Sequence, residues 1–201
     1  MVDLAAPRFG LPASLWIPIA AASIADIETY VGVVLQRVSD PTTGRVNAVL
    51  VASRGVAKES NVPIWRSPLA GTANDRLHPP KQVWVHVDYR DYRQAYIQFG
   101  MPNPANCFLD HVQNRIATRL RGNMHPYLRL CPVDPGVNTS GGHSAGGEGM
   151  EKKFLARHVP TPGGNRIIYA DPMDLTKMLN IKPGTQVLGG VGDTQRLFYP
   201  Q

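Results

Sequence analysis

The sequence predicts an α+β fold: small mixed sheets with several short helices, built on a central strand–strand–helix unit into which a basic helix is inserted. Three observations predict it. Val-rich runs (31–38, 46–52, 83–87) alternate with stretches whose apolar residues recur every three or four positions (89–99, 112–121, 172–179). Gly and Pro number 19 and 18 in 201 residues without any period, which disfavours a helical bundle. Hydrophobic residues make up 43% of the chain, enough for a real core. The length suits one domain, or one domain with an extension.

Residues 1–14 contain Pro and Gly and read as extended. Residues 15–28 can form a short helix through Leu15, Ile19 and Ala22, with Pro18 tolerable only near its first turn. Two Val-rich runs follow, 30–38 and 45–52, joined by a turn containing Pro41 and Gly44, and read as a β-hairpin. From Ser53 to Lys81 no period is evident and Pro63, Pro68, Pro79 and Pro80 interrupt the chain. A connection of that length is unusual inside a compact domain. It divides the chain into residues 1–80, a hairpin-containing N-terminal module or extension, and residues 81–201, a second α+β unit.

In the second unit Val83–Val87 is a strand, and Asp88 is placed to cap a helix that stops at Gly100. Tyr89, Tyr92, Tyr96 and Phe99 share one side of it, a stripe more often used for packing than for stacking bases. Arg90 and Arg93 share another side. Phe108–His111 is the next strand. A basic helix follows over 112–121, with Val112, Ile116 and Leu120 in an apolar row and Arg115 and Arg119 on one face, before Gly122. Tyr127–Val133 is a strand and Asp134-Pro135-Gly136 a turn. Residues 141–149 hold five glycines, too many for a helix, so the next helix starts near Glu148 and runs to about Ala156. Arg166–Ala170 is a strand. Asp171 and Pro172 open a helix as N-cap and first residue, with Leu175, Met178 and Leu179 inward. The tail, 187–199, can supply two short strands.

Composition narrows the function classes. The formal net charge of +6 favours polyanionic partners, nucleic acid or an anionic surface. Cys107 and Cys131 form no C-x-x-C pair, which argues against a zinc ribbon and a disulfide-dense scaffold; both read as core residues, or as a single bridge if their strands pair. The longest apolar run, 15–25, is broken by Pro18 and closed by Asp26, well short of the ~20 residues of a membrane span. With only Arg8 before it, it makes a poor signal peptide. The chain is therefore expected to be cytoplasmic as synthesised, with export or delivery by a signal-independent route left open, and no membrane partner.

Chemistry-bearing groups concentrate between Cys107 and Lys153. Asp110-His111 ends an apolar strand, Asn138 follows the next strand after a turn, and His143, Glu148 and Glu151 lie in and after the Gly-rich loop. A hydrolytic metal site needs a ligand set for a divalent ion, a base to activate water and a group that orients the base. In this order and spacing the segment resembles the HNH, or ββα-metal, endonucleases, and among them the divergent nuclease domains of bacterial toxins. The resemblance implies a central ββα-metal-like unit and metal-dependent hydrolysis of DNA or RNA. It implies His111 as general base, Asn138 as the residue orienting it, Asp110 as a metal ligand, and His143, Glu148 or Glu151 completing a site for Mg²⁺, Mn²⁺ or Zn²⁺. The resemblance also leaves open an inhibitor or immunity protein as a partner. The sequence departs from the family in placing a basic helix between the two strands and in lacking zinc-binding cysteine pairs. Arg115, Arg119, Arg121, Lys152 and Lys153, with Arg129, supply positive charge suited to phosphates.

Other readings stand beside this one. Asp110 can simply cap the following helix. The basic residues can form a solvated face, giving a domain that binds nucleic acid without cutting it, or a structural or interaction protein. Deaminase, P-loop and serine-nucleophile motifs are missing. A Cys131–His111 nucleophile is disfavoured because Cys131 points inward on its strand.

Overall fold

The computed structural model describes residues 17–54, 76–102, 106–120, 122–137, 166–170 and 172–180. The expected helix at 148–156, the tail strands at 187–199 and most of the 53–81 connection lie outside these residues.

The described elements are β1 (Pro18–Ala21), α1 (Ile24–Tyr30), β2 (Gly32–Ser39), β3 (Val46–Ser53), β4 (Lys81–His86), α2 (Tyr92–Gln98), β5 (Phe108–His111), α3 (Arg115–Leu120), β6 (Tyr127–Val133), β7 (Ile167–Tyr169) and α4 (Pro172–Met178). The class is α+β. The strands join one seven-stranded sheet in the order β2-β3-β4-β6-β1-β7, with β5 paired to β6. All described pairings are antiparallel, where mixed sheets were expected. The expected boundary after residue 80 falls between β3 and β4, which are hydrogen-bonded neighbours from Ala48↔Val85 to Ala52↔Lys81.

The 15–28 segment differs from its expected helix. Ile17, Ile19, Ala20 and Ala21 are all at most 1% exposed, and β1 lies between β6 and β7. A continuous apolar run does not by itself distinguish a buried helix from a strand covered on both faces. Here the strand wins, with Pro18 at its first position, where a missing N–H costs little. The helix begins only after Ser23, whose Oγ accepts the Asp26 N–H at 3.1 Å and hydrogen-bonds Asp26 Oδ2 at 2.6 Å.

Strand alternation distributes the core to both faces of the sheet. Ala48, Leu50, Val83, Val85 and Leu130 pack with Ala95, Tyr96 and Phe99 of the α2 region. Tyr89 and Tyr92 pack at the margin of this cluster, so the aromatic stripe is a packing face. Val49, Val51, Trp84 and Tyr127 lie on the other face with Ile27 of α1. Further along that face Cys131 and Val133 meet Leu175 and Met178 of α4. Each large apolar side chain buried this way contributes roughly 1.5–3 kcal/mol.

The expected hairpin is present as β2 and β3, and Gly32 is required there because a Cβ would collide with the Ala52 carbonyl oxygen. The basic helix is also present between β5 and β6, but its apolar row is split. Val112 is buried, whereas Ile116 and Leu120 are 49% and 71% exposed. Cys107 and Cys131 are both free thiols.

Candidate functional site around Asp110 and His111

β5 and β6 pair with Asp110 opposite Cys131 and His111 opposite Leu130. Because side chains alternate along a strand, neighbours in sequence leave on opposite faces. Asp110 is on the α4 side with Cys131, and His111 is on the α2 side with Leu130. The Asp-His pair read from the sequence as one unit is thus divided by the strand that carries it.

On the α4 side, Lys177 Nζ lies 2.7 Å from Asp110 Oδ2 and donates to the His111 carbonyl oxygen at 2.7 Å. Asp110 Oδ1 accepts the His111 N–H at 2.8 Å. Among the described residues Asp110 caps no helix: the Ile116 N–H donates to Asn114 Oδ1 at 2.7 Å, so Asn114 holds the start of α3. Cys131 is buried opposite, and burial raises its thiol to about 11. A thiolate is needed for nucleophilic attack, so this environment removes the Cys-His reading.

On the α2 side, the His111 ring meets Tyr92 edge-on, with centroids 4.6 Å apart. The residue is 4% exposed. Burial, with Arg115, Lys177 and Arg93 adding to it and Asp110 opposing, lowers the imidazole to about 4. It is therefore neutral at pH 7. Its Nε2 is buried without a protein partner, as are Gln113 Oε1 and Arg115 Nε. His111 thus ends its strand but lies buried, with Tyr92 of α2 against its ring.

Arg119 Nη2 is 3.0 Å from Asp88 Oδ1, which holds the Asp88 carboxyl below its usual range. Asp88 therefore ties α3 to the β4–α2 turn and does not cap α2, whose first turn begins after Asp91. Asn138, His143, Glu148, Glu151, Arg121, Lys152 and Lys153 lie outside the described residues. Arg129, read as part of a solvated basic face, is instead 1% exposed.

Among the described residues no group of three or more His, Cys, Asp or Glu could hold a metal ion. Asp110 offers one carboxylate, and Lys177 already neutralises it. The described donors alone therefore do not fit a divalent ion. No described helix is long and apolar enough to cross a membrane.

Sequence reasoning missed Lys177 and Tyr92 as the partners of this pair. Tyr92 was legible as a packing residue, but its contact with His111 was not. Lys177 carried no local signal, since it reaches β5 from 66 residues away. No family model, no curated protein and no solved structure matches this chain.

Proposed function

We propose that this chain cleaves phosphodiester bonds of nucleic acid, with His111 as general base and Arg115 and Arg93 holding the phosphate. The observation that supports it is the state of His111. A base must be unprotonated and have a nitrogen free to take a proton. His111 is neutral at pH 7, its Nε2 has no protein partner, and two guanidinium groups act on it electrostatically. Those cations would favour a bound phosphate and its transition-state charge. Dependence on Mg²⁺, Mn²⁺ or Zn²⁺, as in the ββα-metal endonucleases, belongs to the same reading; an ion at Asp110 has to compete with Lys177 for the carboxylate.

The burial of His111 favours a second reading, a basic domain that binds nucleic acid without cutting it. Its affinity would fall steeply with salt as counterions are released.

The deciding assay is degradation of plasmid and total RNA by the purified chain, with each ion and with EDTA, beside His111→Gln. Glutamine is preferred to alanine because it keeps more volume at a buried position. Cleavage by the parent and none by a folded His111→Gln variant is the expected result. Undiminished cleavage by that variant moves the base elsewhere. Salt-sensitive binding without cleavage under any condition establishes the second reading.

A further inference from the structure

α3 carries its aliphatic side chains on its outer side. Thr118 is 1% exposed, and its hydroxyl and N–H both donate to the Asn114 carbonyl oxygen. At about 3.6 residues per turn, Ile116 and Leu120 stand on the side of the helix opposite Thr118. They are 49% and 71% exposed. Past the helix the chain folds back through Gly122 and Asn123, both at positive φ. Their N–H groups donate to the carbonyl oxygens of Arg119 at 3.0 Å and Thr118 at 3.1 Å. Met124 follows, 54% exposed, before His125 returns to the interior. A hydroxyl thus faces inward while three large aliphatic side chains face solvent, the reverse of the usual helix on a sheet.

Exposed aliphatic residues scattered singly are ordinary, but several at one helix end make a patch of the kind that marks a contact surface. Arg115 and Arg119, four apart, lie along the flank of this ridge. Arg119 keeps 47% of its side chain exposed while bonded to Asp88, and Arg115 has no ion pair among the described residues. The described residues 112–120 and 122–125 contain no acid. A second copy of the chain would set these arginines against one another. Base stacking needs rings, and the patch offers only aliphatic side chains. A stable protein interface takes about 800 Å² from each partner, far more than three side chains provide. An anionic lipid surface requires neither rings nor breadth. Aliphatic side chains enter the acyl boundary, and guanidinium groups on their long stems stay with the lipid phosphates.

We propose that Ile116, Leu120 and Met124, flanked by Arg115 and Arg119, form an insertion patch by which the chain docks on an anionic lipid surface. The association is peripheral and needs no spanning helix; no described helix is long and apolar enough to be one. The expectation of no membrane partner rested on the lack of a spanning run, a criterion that does not bear on docking of this kind. The net charge of +6 adds long-range attraction to such a surface. The inference does not rest on the His111 reading and holds whether or not the chain cleaves nucleic acid.

The test is co-sedimentation of the full chain with vesicles of equal parts phosphatidylcholine and phosphatidylserine, against vesicles of phosphatidylcholine alone. The expected result is binding to the anionic vesicles, weakened as salt is raised, with little binding to the neutral ones. Leu120→Ser combined with Met124→Ser should lower the apparent affinity about tenfold or more. The urea midpoint should stay unchanged, since both side chains already face solvent. If that variant does not fold, Leu120→Trp decides. Its added emission, over that of the parent's own tryptophans, should shift to the blue with anionic vesicles and be quenched by brominated acyl chains. No binding to anionic vesicles at low salt, or equal binding to both kinds, overturns the proposal. Undiminished binding in the double variant also overturns it, since a basic chain would then be held by charge alone. An indole at position 120 that stays in water while the chain is bound has the same consequence. So does loss, in the double variant, of a concentration-dependent dimer or of oligonucleotide binding while vesicle binding persists, because the patch would then have another occupant.

Discussion

Lys177 Nζ is held 2.7 Å from Asp110 Oδ2 and donates to the carbonyl oxygen of the next residue, His111, at 2.7 Å. The ammonium therefore bridges a side chain and the backbone of the same strand. Both partners are only part-exposed, at 20% and 27% of their side-chain surfaces. The contact docks α4 on β5, and it gives Asp110 a structural role that any metal would have to displace.

Breaking that bridge should cost stability. Lys177→Met leaves Asp110 facing the α4 interface without its cation, and hydrogen bonds to charged groups are worth about 1.5–3 kcal/mol. Urea unfolding is expected to report a loss in that range. Asp110→Asn combined with Lys177→Met should cost less than the two single losses added, since each already removes the same contact. Strict additivity would mean that the pair does not couple.

Folding stability should fall as pH drops from about 6.5 towards 4. The His111 imidazole is lowered to about 4 in the folded chain from 6.5. Between those values the unfolded chain binds a proton that the folded chain refuses, so stability rises with pH across the window. The full effect is about 3 kcal/mol, set by the pKa difference. His86, also lowered by burial, adds in the same direction. Denaturant midpoints measured between about pH 4.5 and 7 should show a shallower slope in His111→Gln than in the parent chain. An unchanged slope would mean that His111 is not the group responsible.

Thiol reactivity should separate the two cysteines. Cys131 is buried with its thiol raised to about 11, while Cys107 is half-buried, and both are free. A maleimide at pH 7 should label Cys107 in the native chain and reach Cys131 only after denaturation. Fast native labelling of both residues, or a mass two hydrogen atoms short from an oxidised bridge, would contradict this arrangement.

The start of α1 should be sensitive to its cap. Ser23→Ala removes the acceptor for the Asp26 N–H and the partner of its carboxylate. Caps of this kind contribute about 0.5–2 kcal/mol. Urea unfolding should report a loss in that range with an unchanged slope in denaturant, and no loss would mean the cap is replaced by solvent.

Much of the fold was legible locally. The Val-rich hairpin, the strand ending at His111, the strand at 127–133 and the helix over 172–178 follow from period and turn residues, which act over a few residues. The segment at 15–28 was not, because Ile17 to Ala21 is apolar on every side and its conformation depends on the strands that flank it. Of the candidate site, the sequence supplied the Asp110–His111 pair and the cations nearby.

By itself the sequence determined which residue types stand at the end of β5, and it was read as bringing Asp110 and His111 into one site, whereas the strand sends them to opposite faces. Only the tertiary structure decided what each of them meets. Lys177 arrives from α4 to neutralise Asp110, and Tyr92 of α2 meets the His111 ring edge-on in a buried setting that lowers the imidazole pKa. Arg129 likewise becomes a buried charge because Leu77, Trp84 and Cys131 gather on its face of the sheet. Backbone period is a short-range property of the chain. Burial, charge pairing and proton affinity are set by groups brought together from distant parts of it.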